Sequence, residues 1–301
     1  MNYIYNYLVF PGFLFAGFCG MLASFIDRKI TARLQWRKGP PLFQPFYDFI
    51  KLLGKETVLP SGVSKSIFLI SPLVGLSAMT LVSTILWLGL LYSKGFAGDL
   101  LVLIYLMTIP SISVIIAGFS SKNPIASIGA SREMKLILGY ELPFIFSILV
   151  VIIKANSIKL SDIINYQILN GPVLNSISGV LAFIIAIFCI QAKMGIVPFD
   201  ISEAEQEIIA GPFIEYSGPP LGIFKLTRWM MLFVVPSFIV ATFFPAKTFS
   251  GNIFRYLILL VIVTLIRNTN PRIRIDQAIR FFWVHCTVLS FIAVILALFG
   301  K

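Results

Sequence analysis

The sequence predicts an all-α, polytopic membrane protein with eight transmembrane helices, an amphipathic helix on the membrane surface and a structured acidic loop. Three observations carry that reading. The first is composition: 58% of the 301 residues are apolar, 12% are charged and the mean hydropathy is +0.92. A soluble domain carries roughly 45–50% apolar and about 25% charged residues, so a soluble core cannot absorb this excess. The second is the recurrence of apolar runs near the length of about 20 residues that a membrane-crossing helix needs. The third is the segregation of the basic residues onto alternate connections.

In chain order the runs cover 3–26, 66–93, 99–119, 134–154, 174–196, 221–244, 252–268 and 281–299. The first has neither a basic leading segment nor a small-residue cleavage site, so it is expected to be a retained span rather than a signal peptide. The seventh is short and ends in Arg267. With no internal repeat and no polar linker, residues 1–301 are expected to form one integral membrane domain. Lys and Arg concentrate on the cytoplasmic side of membrane proteins. The odd-numbered loops hold 16 of these bases, from Arg28 to Arg280, and the other side holds 6. The expectation is a multi-pass cell-membrane protein with cytoplasmic odd-numbered loops and both termini outside.

The first loop contains RKGPPLFQPFYDFIKLLGKE, residues 37–56. From Pro45, the positions of Phe46, Phe49, Ile50 and Leu53 form an apolar stripe at helical spacing, with Asp48, Lys51 and Lys55 on the opposite face. That pattern is an amphipathic helix lying along the membrane surface.

The segment PFDISEAEQEIIAGPFIEYSG, residues 198–218, gathers five of the chain's 13 carboxylates (Asp200, Glu203, Glu205, Glu207 and Glu215) and no Lys or Arg. Ser202 and Glu205 fit a capping box, which accounts for acids at a helix start without further function. It leaves Asp200, Glu207 and Glu215 unexplained. Glu203 and Glu207, four apart, would repel each other on one helix face. Crowded carboxylates hold protons more readily, so the cluster is a candidate for proton or cation handling. Its apolar neighbours, Ile208, Ile209, Pro212, Phe213 and Ile214, indicate a segment folded into the protein.

Glu141, in LGYELPF, lies inside the fourth span, where a carboxylate costs about 2.5–3.5 kcal/mol on insertion scales. Pro143 nearby could free a carbonyl for a polar path. Lys225 and Arg228, three apart at the start of the sixth span, either snorkel or pair with the acids upstream. The cysteines Cys19, Cys189 and Cys286 stand alone in apolar runs, and His285 is the sole histidine. Neither pattern supports a metal centre, an iron–sulfur cluster or a catalytic triad. Buried thiols and a packed, hydrogen-bonded histidine are expected instead.

Together these motifs resemble the NADH dehydrogenase subunit 1 family of respiratory complex I. The resemblance runs from about Arg28 to Arg280. It rests on Arg37, Gly39, Pro40, Gln44, Pro45, Asp48, Lys51, Lys55 and Glu56 in the first loop, on Tyr140-Glu141, and on Pro198, Phe199, Asp200, Glu203, Glu205, Glu207, Glu215 and Tyr216. The family includes a membrane subunit of ferredoxin-linked [NiFe] hydrogenases and sulfur-reducing complexes. Quinone-using members usually carry extra residues, including a second Gly-Pro, between the first Gly-Pro and Gln-Pro. The contracted GPPLFQP here is similar to the hydrogenase-type branch.

The resemblance implies a coupling subunit with no catalytic centre, metal or cofactor of its own, linking electron transfer to proton or sodium translocation. Asp48, Glu141 and the five loop acids would carry ions or protons. Arg37, Lys51, Lys55, Lys225 and Arg228 would serve as interface or charge partners. Implied partners are a hydrophilic iron–sulfur subunit, a [NiFe]-hydrogenase-like large subunit holding nickel–iron, antiporter-like membrane subunits and lipids, with no nucleic acid. The same fold could instead wall a quinone chamber. A stand-alone cation transporter fits less well, because the sequence lacks paired interrupted helices in matching halves.

Overall fold

Pro11 and Gly12 break the first apolar run: α1 (Tyr3–Leu8) stops short of them and α2 (Phe13–Leu34) begins after them. A side chain on Gly12 would run into the Tyr7 carbonyl, so the break needs glycine. The computed structural model describes residues 3–300, the side chains of Glu205 and Gln206 excepted. Lys301 and the carboxylate expected of Glu205 therefore lie outside the described residues.

The remaining helices are α3 (Gln44–Leu53), α4 (Lys65–Tyr92), α5 (Asp99–Leu106), α6 (Ile109–Ser120), α7 (Pro124–Ala155), α8 (Leu160–Asn170), α9 (Ile177–Lys193), α10 (Glu205–Ile208), α11 (Gly218–Phe243), α12 (Phe249–Thr269), α13 (Ile275–Arg280) and α14 (Thr287–Leu298). A π-helical turn, Phe281–Cys286, joins α13 to α14. The described residues are helical with no strand. Among the described residues seven helical stretches are long and apolar enough to cross a membrane; the expected fifth span is α9, an apolar helix of 17 residues.

Several boundaries differ from the sequence reading, for local reasons. The helix of the fourth span starts ten residues earlier than expected, because Asn123 caps it, accepting from the Ile125 amide, and Pro124 occupies its first turn. It also runs unbroken through Pro143. The seventh span is not short: Thr248 caps α12 at Gly251 and the helix continues through Arg267 for 21 residues. Likewise α2 continues past residue 26 through Asp27, which Arg267 and Thr264 of α12 hold.

α11 is the axis of the bundle. Every residue from Trp229 to Phe243 is buried, as expected of a helix that is apolar all round. In lipid such packing rests on close contact rather than on water exclusion, so small residues matter where backbones cross. At Gly20 of α2, an added Cβ would lie 2.5 Å from the Trp229 carbonyl oxygen of α11. Gly20→Val is therefore expected to destabilise the protein by about 1–3 kcal/mol or more through overpacking. Thermal unfolding in detergent measures this, and an unchanged midpoint would show that the crossing can open.

The four odd-numbered connections meet on one face. Ser217 Oγ accepts from the Val58 amide at 3.2 Å, Asn123 Nδ2 donates to Glu215 at 2.6 Å, and the Ile273 amide donates to the Pro198 carbonyl at 3.1 Å. At the opposite face Asp99 accepts from the Leu160 amide at 2.8 Å, and Gln167 donates to the Thr242 carbonyl at 2.7 Å. The helices thus alternate in direction, and the acidic loop sits where loops one, three, five and seven converge.

Candidate functional site

Much of residues 194–217 is folded into the protein: of the apolar neighbours on which that expectation rests, Ile208 and Pro212 are buried and Phe213 and Ile214 half-buried, whereas Ile209 is 60% exposed. Phe199, Ile201, Ser202, Ala204, Ile208 and Tyr216 are buried. The Tyr216 ring stacks on Phe68 with centroids 3.9 Å apart and planes 3° from parallel. Its hydroxyl lies 3.1 Å from Ser71 Oγ and donates to the Phe68 carbonyl at 3.1 Å. This satellite core, completed by Ala117 and Phe224, pins the end of the loop to α4, α6 and α11.

The start of the loop differs from expectation. The short helix begins at Glu205 with Ala204 at its N-cap and no side-chain cap, so Ser202 is not a capping residue. Ser202 is buried and its hydroxyl faces Glu133 of α7 instead. A buried acid competes for the hydroxyl that a capping box would use. Glu203 precedes the helix, so it does not share a helical face with Glu207.

Nor are the loop acids uncompensated. Arg228 of α11 forms a two-pronged pair with Glu203, Arg132 of α7 donates to Glu207 at 2.6 Å, and Arg272 donates to Asp200 at 2.9 Å. Glu215 accepts from Asn123. Each of the four described acids, Asp200, Glu203, Glu207 and Glu215, has a separate partner from a distant segment. The predicted crowding of like charges is therefore replaced by distributed pairs, because folding brings bases from three other elements to a stretch that has none. Of the two bases on α11, Arg228 pairs, as one of the two sequence readings held, and Lys225 is exposed.

The surface helix α3 forms as expected but is rotated. Pro45 and Leu52 are buried, and Phe49 and Leu52 lie against Gly222 of α11. Ile50, 63% exposed, and Leu53, 48% exposed, turn outward. Asp48 turns toward the bundle rather than away from it: Arg28 of α2 donates to one carboxylate oxygen and Gln44 to the other, each at 3.0 Å. Lys51 and Lys55 are exposed as predicted, and Arg37 is exposed in the loop before the helix.

Partial burial pushes the Asp48 carboxyl up. The hydrogen bonds from Gln44 and Arg28, with the charges of Arg28 and Lys225, outweigh it and hold the group below the usual carboxylate range. A depressed folded pKa stabilises the protein above the unfolded value of about 3.9, and that contribution is lost as pH falls through the folded value. Unfolding midpoints measured from pH 6 down to pH 3 should therefore fall less in Asp48→Asn than in the parent protein. Parallel curves would show that the Arg28 contact carries no stability.

Glu141 lies inside the bundle, as its insertion cost requires. Its Oε2 is 3.1 Å from Nζ of Lys193, at the end of α9. The Lys193 side chain is fully buried, at 0% exposure, with the rings of Phe144 and Tyr140 at 4.9 and 5.4 Å from its ammonium. Glu141 Oε1 is buried and has no hydrogen-bond partner. Beyond Lys193 lies a cavity of about 30 Å³, which Glu133, Ser111, Ser202, Thr227 and Arg228 also line. Ionisable groups thus run from the partly exposed Glu203–Arg228 pair past the buried Glu133 and Lys193 to Glu141.

Two members of that series escape sequence reading. Glu133 stands between Arg132 and Met134, one residue outside the apolar run, and reads as part of a basic loop. Lys193 counts as a loop base by the charge rule, although the helix C-terminus it occupies favours a cation. The signal available was helical spacing: Glu133 and Glu141 are eight apart, about 12 Å along one helix. Asp27, buried and paired with Arg267, also goes unread.

Among the described residues no group of three or more His, Cys, Asp or Glu could hold a metal. The three cysteines are free thiols; Cys189 and Cys286 are buried and Cys19 partly so. His285 departs from expectation: it is exposed, on the π-helical turn, with its ring centroid 6.3 Å from that of Phe281.

Residues 8–298 match the family model described as NADH dehydrogenase. The chain belongs to this family. It is 33% identical over 275 residues to formate hydrogenlyase subunit 4 of Escherichia coli (strain K12), covering 87% of this chain and 89% of that relative. It is 30% identical over 299 residues to an NADH-quinone oxidoreductase subunit of Dehalococcoides mccartyi (strain CBDB1), covering 93% and 82%. Its fold is similar to that of a chain from the membrane-bound sulfane sulfur reductase, an archaeal respiratory membrane complex. The TM-score is 0.88 at 28% identity, with 95% of this chain and 96% of that one covered. The resemblance drawn from the three motifs therefore holds along nearly the whole chain, and these family members are subunits of oxidoreductase or respiratory membrane complexes.

Proposed function

We propose that this chain is the membrane-anchoring and coupling subunit of a multisubunit, ion-translocating oxidoreductase of the hydrogenase-like, ferredoxin-linked branch. The observation that carries the reading is the series of ionisable groups, with Glu133 and Lys193 buried among them, that joins the acidic loop to Glu141. A carboxylate and an ammonium held together inside a membrane bundle are costly and mark ion or proton paths. Electron transfer in a docked subunit would perturb the loop pairs, and the buried series would pass the change toward the membrane arm.

In this reading the chain has no redox centre of its own. Iron–sulfur clusters and a nickel–iron centre belong to a hydrophilic iron–sulfur subunit and a [NiFe]-hydrogenase-like large subunit, docked on the face where loops one, three, five and seven converge. That face is cytoplasmic and both termini lie outside, following the Lys and Arg bias. α9, at the short end of the spanning range, is the eighth transmembrane helix. Asp48, Asp200, Glu203, Glu205, Glu207 and Glu215 act at the junction, with Arg37, Lys51, Lys55 and Lys225 as charge partners. Antiporter-like subunits and lipids surround the rest.

The quinone-chamber reading is weaker because the contracted GPPLFQP resembles the hydrogenase-type branch. Purification of the native assembly is the test. Co-purifying hydrogenase-like and iron–sulfur subunits without stoichiometric quinone are expected. A bound quinone whose removal abolishes activity would overturn the branch assignment, and a lone chain active in transport would overturn the coupling role.

A further inference from the structure

We propose, resting on the coupling reading above, that Lys193 is the proton-passing residue between the loop cavity and Glu141. Three features of the structure converge on it. Its side chain is fully enclosed yet carries an ionisable amine, which a purely packed position would not need. It pairs with Glu141 at 3.1 Å on one side and borders, on the other, the cavity whose wall includes Glu133. Glu141 keeps one buried oxygen, Oε1, without any donor, so the site has unfilled capacity for a proton on the acceptor side.

The geometry suits a relay. Glu133 and Glu141 lie about 12 Å apart along α7, too far for direct exchange. The cavity of about 30 Å³ has room for about one water, and its polar walls can hold it. Lys193 gives a proton from its ammonium to the Glu141 carboxylate, breaking one N–H bond and forming one O–H bond. The neutral amine regains a proton through the cavity water from the Glu133 carboxyl. The net change is one proton moved from Glu133 to Glu141, with Lys193 restored.

The groups that face this path are few. α7 contributes Glu133, Tyr140 and Glu141, and α9 contributes Lys193 itself with Cys189 one turn before it. α6 offers Ser111, the loop Ser202 with Asp200 behind it, and α11 Thr227 and Arg228. Arg228 and Lys193 are the cations lining the cavity, and a guanidinium does not release its proton. Lysine, whose amine can be neutral when desolvated, can.

The test uses the intact complex reconstituted in liposomes, with electron transfer and ion translocation measured together. Lys193→Arg keeps the charge and the Glu141 pair but cannot pass a proton. Electron transfer should persist while translocation per electron pair falls at least ten-fold. Full translocation in Lys193→Arg would show a structural counter-charge and overturn the proposal. Lys193→Met guards against poor fit of Arg. Redox-induced infrared difference spectra of that variant should retain the Glu133 carbonyl band and lose the Glu141 band, each assigned by its Gln variant; retention of both would overturn the relay. In the parent complex, a band sensitive to ¹⁵N-lysine labelling is expected, and its absence would also overturn the relay, whatever the variants do. Glu141→Gln is run in parallel. Normal pumping there defeats the coupling reading itself, whereas a Glu141→Gln defect beside a fully active Lys193→Arg defeats only the role of Lys193.

Discussion

Glu141→Gln is expected to leave the complex assembled and electron transfer measurable, while ion translocation per electron pair falls at least ten-fold. Gln preserves the size of the side chain and offers its carbonyl oxygen to Lys193, but it cannot bind and release a proton. Removing one member of a buried pair costs about 3–5 kcal/mol when the survivor is stranded. Here Lys193 also borders a cavity with polar walls, which limits that cost. The Tm should therefore fall without loss of subunits. Proton or sodium flux into proteoliposomes, recorded beside the redox rate, measures the effect. Unchanged flux would remove Glu141 from the path, whatever the pair contributes to stability.

The largest structural effect is expected from Tyr216→Ala. Tyr216 is 4% exposed, stacks on Phe68, meets Phe224 edge-on and anchors its hydroxyl on α4. Truncating a buried aromatic ring costs about 3–5 kcal/mol. Tyr216→Phe should lose only the hydroxyl contacts, about 1 kcal/mol. Because the ring pins the end of the acidic loop, the damage should be local first. Limited proteolysis should cut between residues 197 and 217 in the alanine variant before the spans unfold. Equal protease resistance in both variants would show that the Arg228, Arg132 and Arg272 pairs hold the loop without the ring.

Both expectations depend on pairs that no local pattern announces. The acidic loop illustrates the limit. Its residue types foretold an ordered, inward-folded segment, and Phe199, Ile201 and Ile208 are indeed buried. The pairing of its acids is not legible in the sequence, since Arg132, Arg228 and Arg272 stand 75, 25 and 72 residues from the acids they meet. On α3 the spacing foretold a helix, but the face that packs depends on where α11 offers Gly222 and where Arg28 reaches.

By itself, the sequence determined the membrane class, the approximate places of the apolar runs, the presence of the surface helix, the partial inward folding of the acidic loop and the family. These follow from composition, period and local motif, which act over at most a few helical turns. Only the tertiary structure decided that Asp48 turns inward, that the loop acids are separately paired, and that Glu133 and Lys193 join Glu141 in one buried series. The physical reason is that a charge inside a membrane bundle is satisfied by whichever partner the packing brings within about 3 Å, and packing is set by contacts between distant helices.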